Sequence, residues 1–197
     1  MLRPGLPGRF FLCGARYNKR VKGSGNIFLV GMMGAGKTTI GRLLARRLKR
    51  PFYDSDHELE RRCGVKIPMI FDIEGEAGFR SREACVLEEL SALDSVVLAS
   101  GGGAVLREDN RRHLGARGTV VYLHARPSDL YQRVRHDKNR PLLAAADPLR
   151  RLEELYASRD PLYRQVADIV IDTGRQSAQA LLRELLGRLG ESCKLSA

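Results

Sequence analysis

Asn26-Ile27-Phe28-Leu29-Val30-Gly31-Met32-Met33-Gly34-Ala35-Gly36-Lys37-Thr38 is the stretch that decides the fold. Its opening is a short apolar run that stops at Gly31, the pattern of a strand buried in a parallel sheet. From Lys37 to Leu48, Ile40, Leu43, Leu44 and Leu48 fall on one face of a helix. Between strand and helix, Gly31 to Thr38 satisfies G-x-x-x-x-G-K-[ST] in full. The glycines let the backbone curl until successive N–H groups face one centre, and the helix adds its positive N-terminal end. Lys37 can reach β- and γ-phosphates, and the Thr38 hydroxyl can ligate Mg²⁺. Gly34, Ala35, Gly36, Lys37, Thr38 and Thr39 are therefore the candidate nucleotide-phosphate set. The motif does not name an acceptor.

Working outward, Pro51-Phe52-Tyr53 leads as a second strand into Asp54-Ser55-Asp56. Ser55 with Glu58 three residues on fits a capping box, so a helix should begin there and stop at Gly64. Pro68 suits the first turn of a short helix, and a longer one should cover about 76–93. Ser95–Ala99 is the next buried strand and closes on Gly101-Gly102-Gly103; Thr119–Leu123 is another. Asp129–Arg135 should be helical, as should Leu149–Ser158. A polar, proline-punctuated stretch between them, 136–148, has the length and composition of a functional loop. Ile169–Ile171 is a last strand and Ser177–Leu189 a closing helix. Strands alternating with helices predict a three-layer α/β domain over 26–190, with a central parallel sheet of about five strands. Ligands in such sheets lie beyond the carboxyl ends of the strands, where Gly31–Thr38, Asp54–Asp56 and Gly101–Gly103 all fall.

Composition narrows the class. The chain has 197 residues, 43% hydrophobic and 29% charged, with a formal charge of +11. Part of that excess sits in the first 25 residues, where Arg3, Arg9, Arg16, Lys19, Arg20 and Lys22 meet no acid. This segment reads as a disordered extension, with a targeting segment or a misassigned start as the other readings; residues 191–197 form a short tail. No run of about 18 apolar residues predicts a membrane span. Cys13, Cys63, Cys85 and Cys193 are scattered, which argues against a zinc site or disulfide framework and for free thiols in a reducing compartment. The histidines have no metal-ligand spacing. A basic balance suits nucleic acid or a small anion, but aromatics are only 6% and no RNA-binding signature occurs. No N-K-x-D guanine motif follows the later strands, which weakens a GTPase reading.

Nucleotide kinases, gluconate-type kinases and shikimate kinase remain. Over roughly 26–190 the chain resembles shikimate kinase, in motifs that occur in the right order. These are Gly31–Thr38, Asp54-Ser55-Asp56, Gly78-Phe79-Arg80, Gly101-Gly102-Gly103, Arg140-Pro141-Leu142-Leu143 and Pro161-Leu162-Tyr163-Arg164. The resemblance implies ATP-dependent phosphorylation of the 3-hydroxyl of shikimate by a cytoplasmic monomer acting on small molecules, with Mg²⁺, without nucleic acid and without a membrane. It implies that Asp56 orients that hydroxyl and accepts its proton, and that Asp54 holds Mg²⁺ with Thr38. Two carboxylates two residues apart on an extended segment would point to one side. It implies that Arg80 and Arg164 grip the carboxylate, as a planar guanidinium does through paired hydrogen bonds, and that Gly102 and Gly103 lie against the substrate. Arg140, on a lid at about 136–148, would close on the phosphates. Arg133 would stack on adenine, and Arg175 would contact the same side. Lys37, Asp56 and Arg140 are the catalytic set so implied.

Overall fold

A computed structural model describes residues 25–135, 147–174 and 176–194. The basic segment 1–24, most of the expected lid including Arg140, and Arg175 lie outside the described residues, as do the last residues of the tail. The sheet has five strands in the order β2-β3-β1-β4-β5. They are β1 (Asn26–Val30), β2 (Phe52–Asp54), β3 (Val97–Ala99), β4 (Gly118–His124) and β5 (Ile169–Asp172), and every neighbouring pair is parallel.

β1 is the central strand: Phe28 stands opposite Leu98 on one side and Val120 on the other. All five of its residues are buried, whereas edge strand β5 alternates, burying Ile169 and Ile171 and exposing Val170 and Asp172. Continuous apolar character belongs to a strand covered on both faces, alternation to one covered on a single face. Asn26 is the polar exception. Its amide donates to the Ser91 and Leu93 carbonyls and accepts from the Val96 N–H, tying the start of β1 to the turn before β3.

Helix α1 (Lys37–Leu48) packs with α7 (Ala178–Lys194) on one side of the sheet. On the other, α4 (Glu108–Arg117) contacts β4 together with α6 (Pro148–Val166), and α3 (Ile67–Ser91) packs on α4. α2 (Ser55–Cys63) lies against α3, and α5 (Pro127–Val134) against α6. From β1 the chain crosses to β2 on one side, and from β3 it crosses to β4 on the other. The carboxyl end of β1 is therefore a topological switch point, the crevice where such sheets hold ligands.

Four local expectations change. The cap of α2 is Asp54, not Ser55: the Asp54 carboxylate accepts from the Asp56 and His57 N–H groups, while Ser55 is buried and its hydroxyl accepts from the Gly101 N–H. Asp54 and Asp56 therefore do not share an extended segment, because the chain turns from strand to helix between them. The short helix expected around 68 and the longer one over 76–93 are both present, as the two parts of α3 on either side of a break at Gly75 with φ 68°. Helix α4 lies where no element was expected, since its sequence is almost wholly polar and carries no apolar period. α6 begins at Pro148, capped by Asp147 at what was taken as the lid's end, and continues through Pro161 to Val166.

Candidate active site

The phosphate loop is built as its sequence requires. Gly34 and Gly36 take φ of 78° and 93°, left-handed values that side chains rarely tolerate. Lys37 Nζ donates to the carbonyls of Gly31 at 2.8 Å and Met32 at 2.9 Å, so the ammonium lies over the loop. Thr38 Oγ1 donates to Asp54 Oδ2 at 2.6 Å, which joins the first turn of α1 to the end of β2. Thr38 and Asp54 thus present two hard oxygen donors beside the loop, a set that fits a Mg²⁺ retaining waters and phosphate oxygens. Ala35 is buried and Thr39 exposed on the first turn of α1.

Arg133, at the end of α5, donates to the Gly34 carbonyl at 3.3 Å, to Thr173 O at 2.7 Å and to Gly174 O at 2.5 Å. Its guanidinium spans the phosphate loop and the turn after β5. The hydrogen bonds run in the plane of the group and fix that plane.

A second cluster gathers around Gly101-Gly102-Gly103 at the end of β3. A Cβ on Gly101 would stand within 2.6 Å of Asp56 Oδ1 and of Glu83 Oε1, so the Asp56 carboxylate, from the first turn of α2, faces this turn. A Cβ on Gly103 would overlap both terminal nitrogens of Arg80. Arg80 is held in place: Nη1 donates to Glu83 Oε2 at 2.7 Å, Nη2 to Glu76 Oε1 at 3.1 Å, and the group lies over the Phe79 ring. Tyr163 Oη donates to the Gly102 carbonyl, and Arg159 Nη1 donates to the same oxygen at 3.3 Å.

Arg159 is only 3% exposed. Burial pulls its guanidinium below the usual value, Tyr163 pulls the other way, and the nearby positive charge of Arg80 lowers it further. Glu83 is 2% exposed and its Oε1 has no hydrogen-bond partner. Burial lifts its carboxyl above the ordinary range; Arg80 opposes this and Asp56 reinforces it.

The structure thus brings Asp56, Arg80, Gly102 and Gly103 together, and it places Arg164 apart from them. That side chain is half exposed, with Nε on Asp160 at 2.8 Å and its guanidinium 5.9 Å from the Tyr122 ring. The cause is helical geometry: five residues at about 100° each place Arg164 roughly 140° around α6 from Arg159. Arg159 and Tyr163, four apart, share the face that meets Gly102. Arg159 and Glu83 are the two residues that reading the sequence missed. Each is a charged residue within a buried helical face, between Leu155 and Tyr163 on α6 and between Phe79 and Val86 on α3. Among the described residues no group of three or more His, Cys, Asp or Glu side chains could hold a metal ion.

A carboxyl-bearing ligand at the paired guanidinium groups would lie at the same sheet edge as a nucleotide on the phosphate loop. Proteins of this kind are known. The chain matches the shikimate kinase family over residues 33–190. It is 60% identical over 167 residues to the shikimate kinase of Cupriavidus pinatubonensis, covering 85% of this chain and 87% of that one. Among solved structures, the shikimate kinase from Acinetobacter baumannii in complex with shikimate aligns with a TM-score of 0.83 and 50% identity, over 85% of this chain and 93% of the other. A gluconokinase from Sinorhizobium meliloti, at 19% identity and a TM-score of 0.55 over 87% of this chain and 94% of its own, shares the fold alone. With the family matched across most of its length and a relative at 60% identity, the chain belongs to the shikimate kinase family.

Proposed function

We propose that this protein transfers the γ-phosphoryl group of ATP to the 3-hydroxyl of shikimate, and that Arg159, rather than Arg164, partners Arg80 in holding the substrate carboxylate. The observation that carries the reading is the convergence of Arg80, Arg159 and Asp56 on the Gly101–Gly103 turn, beyond the strand next to the phosphate loop. Two guanidinium groups, one on each side of a turn without side chains, suit a planar carboxylate on a small ring.

Asp56 orients the hydroxyl and accepts its proton. Phosphoryl transfer requires positioning and charge neutralisation more than covalent help. Lys37 leaves the loop carbonyls for the phosphate oxygens and neutralises charge there. Mg²⁺, held by Thr38 and by Asp54, supplies charge neutralisation and alignment of the phosphates when bound. Arg133, with its plane fixed, offers a flat face for adenine. Arg140 and Arg175 are assigned to the phosphates and the adenine side by the resemblance alone.

The protein is read as a monomer, as the resemblance implies. Cys63 and Cys85 are free thiols, in keeping with the cytoplasm. Among the described residues no helix is long and apolar enough to cross a membrane.

The test is a coupled assay of ADP release with shikimate, gluconate and nucleoside monophosphates as acceptors. Release that depends on shikimate and not on the others supports the reading; equal or greater release with gluconate overturns it.

A further inference from the structure

Glu83 raises a question of charge that the reaction itself does not answer. Four charged side chains meet at the Gly101–Gly103 turn: Arg80 and Arg159, positive, and Asp56 and Glu83, formally negative. With both carboxyls ionised the group is neutral, and an entering carboxylate would leave a net negative charge in a buried place, where charge is costly.

The competition is specific. Glu83 Oε2 occupies Arg80 Nη1 at 2.7 Å, one of the nitrogens a carboxylate would take in a paired bond. Glu76 also rests on Arg80, but it is 59% exposed and can withdraw into water. Glu83 cannot withdraw, because it is 2% exposed on the face of α3 that buries Phe79, Val86 and Leu87. Its second oxygen is buried without any hydrogen-bond partner, a poor setting for a carboxylate and a tolerable one for a carboxylic acid. Two carboxylates at one guanidinium in low dielectric cannot both remain ionised at little cost.

We propose that the acceptor carboxylate binds together with one proton, which Glu83 takes from solvent as the ligand takes its share of Arg80. This inference rests on the acceptor reading above. The groups facing Glu83 are consistent with it: Arg80 and Glu76 on α3 itself, Asp56 on α2, and Arg159 with Tyr163 on α6. The 101–103 turn and the 3-10 turn Ala104–Leu106 bring no charged side chain. The free protein already starts in the right direction, since burial lifts the Glu83 carboxyl and Arg80 is the main influence holding it down. A ligand that draws charge from Arg80 releases that hold.

The consequence is specificity with a pH signature: affinity for a carboxylate acceptor falls as pH rises, although the ligand's own charge does not change. Calorimetric titration of shikimate into the full-length protein, in two buffers of different ionisation enthalpy, counts the protons taken up per ligand. Over a titration from about pH 6 to 9 the wild type should take up protons, a number approaching one where Glu83 is ionised in the free protein, and its Kd should weaken there by up to about tenfold per pH unit. Glu83→Gln, whose amide oxygen still accepts from Arg80 but takes no proton, should bind with no uptake and a flat pH profile. Shikimate binding with zero uptake by the wild type across this range overturns the inference and leaves the acceptor reading standing, as does uptake retained in Glu83→Gln. No binding of shikimate at any pH overturns the acceptor reading and the inference with it. Should Glu83→Gln fail to fold, the wild-type proton count decides alone.

Discussion

Gly103 illustrates how tightly the acceptor site is drawn, since a single methyl group there would occupy the space of both terminal nitrogens of Arg80. Gly103→Ala should push Arg80 off the turn and raise the shikimate KM about tenfold or more, with the ATP KM nearly unchanged. Equal rises in both would mean a general collapse of the sheet edge. Asp56 makes a different prediction because it acts on the reacting hydroxyl. Asp56→Asn keeps the size of the side chain and removes the basic oxygen, so kcat should fall by about 10² or more while the shikimate KM changes little. Steady-state rates that leave kcat within a few-fold of wild type would reduce Asp56 to a binding group. Most single-residue features of the phosphate loop were legible in the sequence, because a glycine with positive φ or a lysine over phosphates has few substitutes. The cap at Asp54 was not: Ser and Asp both cap helices well, and only the register of β2 against β3 decides which one stands at the boundary.

At the scale of elements, Asn26 ties the end of α3 to β1 and Glu58 braces α2 from within, both in measurable ways. The buried Asn26 amide closes three hydrogen bonds onto the segment before β3. Asn26→Ala leaves those backbone groups unpaired and should destabilise the fold by about 2–4 kcal/mol, read as a lower denaturant midpoint at constant slope. A loss below about 0.5 kcal/mol would show that water replaces the amide fully. On α2, the guanidinium groups of Arg61 and Arg62 hold the Glu58 carboxyl down at about 2. A folded-state value below the unfolded one contributes stability above the ordinary carboxylate range and loses it as pH falls from about 4.5 to about 2. Glu58→Gln should therefore narrow the gap to wild type in acid melts over that window; a gap independent of pH would contradict this. Helix α6 shows why part of the site escaped the sequence. The expected helix stops at Ser158, yet Leu152, Leu155, Arg159, Tyr163 and Val166 keep helical spacing on through Pro161. Following that period would have placed Arg159 on the buried face and Arg164 off it. Ending the helix at Ser158 removed the face, and the arginine beside the recognised Tyr163 was taken in its place.

For the whole molecule, the order β2-β3-β1-β4-β5 gathers pieces far apart in sequence onto one sheet edge: the phosphate loop after β1, Asp54 at the end of β2, the glycine turn after β3 and Arg133 after β4. Alternating apolar runs and helical periods made the parallel α/β architecture legible, since each run carries its own evidence. Which helix face turns toward the glycine turn depends on packing between α3, α4 and α6, and no local pattern encodes that contact. The central claim is that the guanidinium pair Arg80 and Arg159 holds the acceptor carboxylate while Arg164 serves only the outer side of α6. Shikimate and ATP KM values for Arg159→Ala and Arg164→Ala, measured side by side by ADP release, test it most directly. The account predicts a shikimate KM raised about a hundredfold in Arg159→Ala with ATP nearly unaffected, and a change within about threefold in Arg164→Ala. A hundredfold loss in Arg164→Ala with Arg159→Ala near wild type would contradict it.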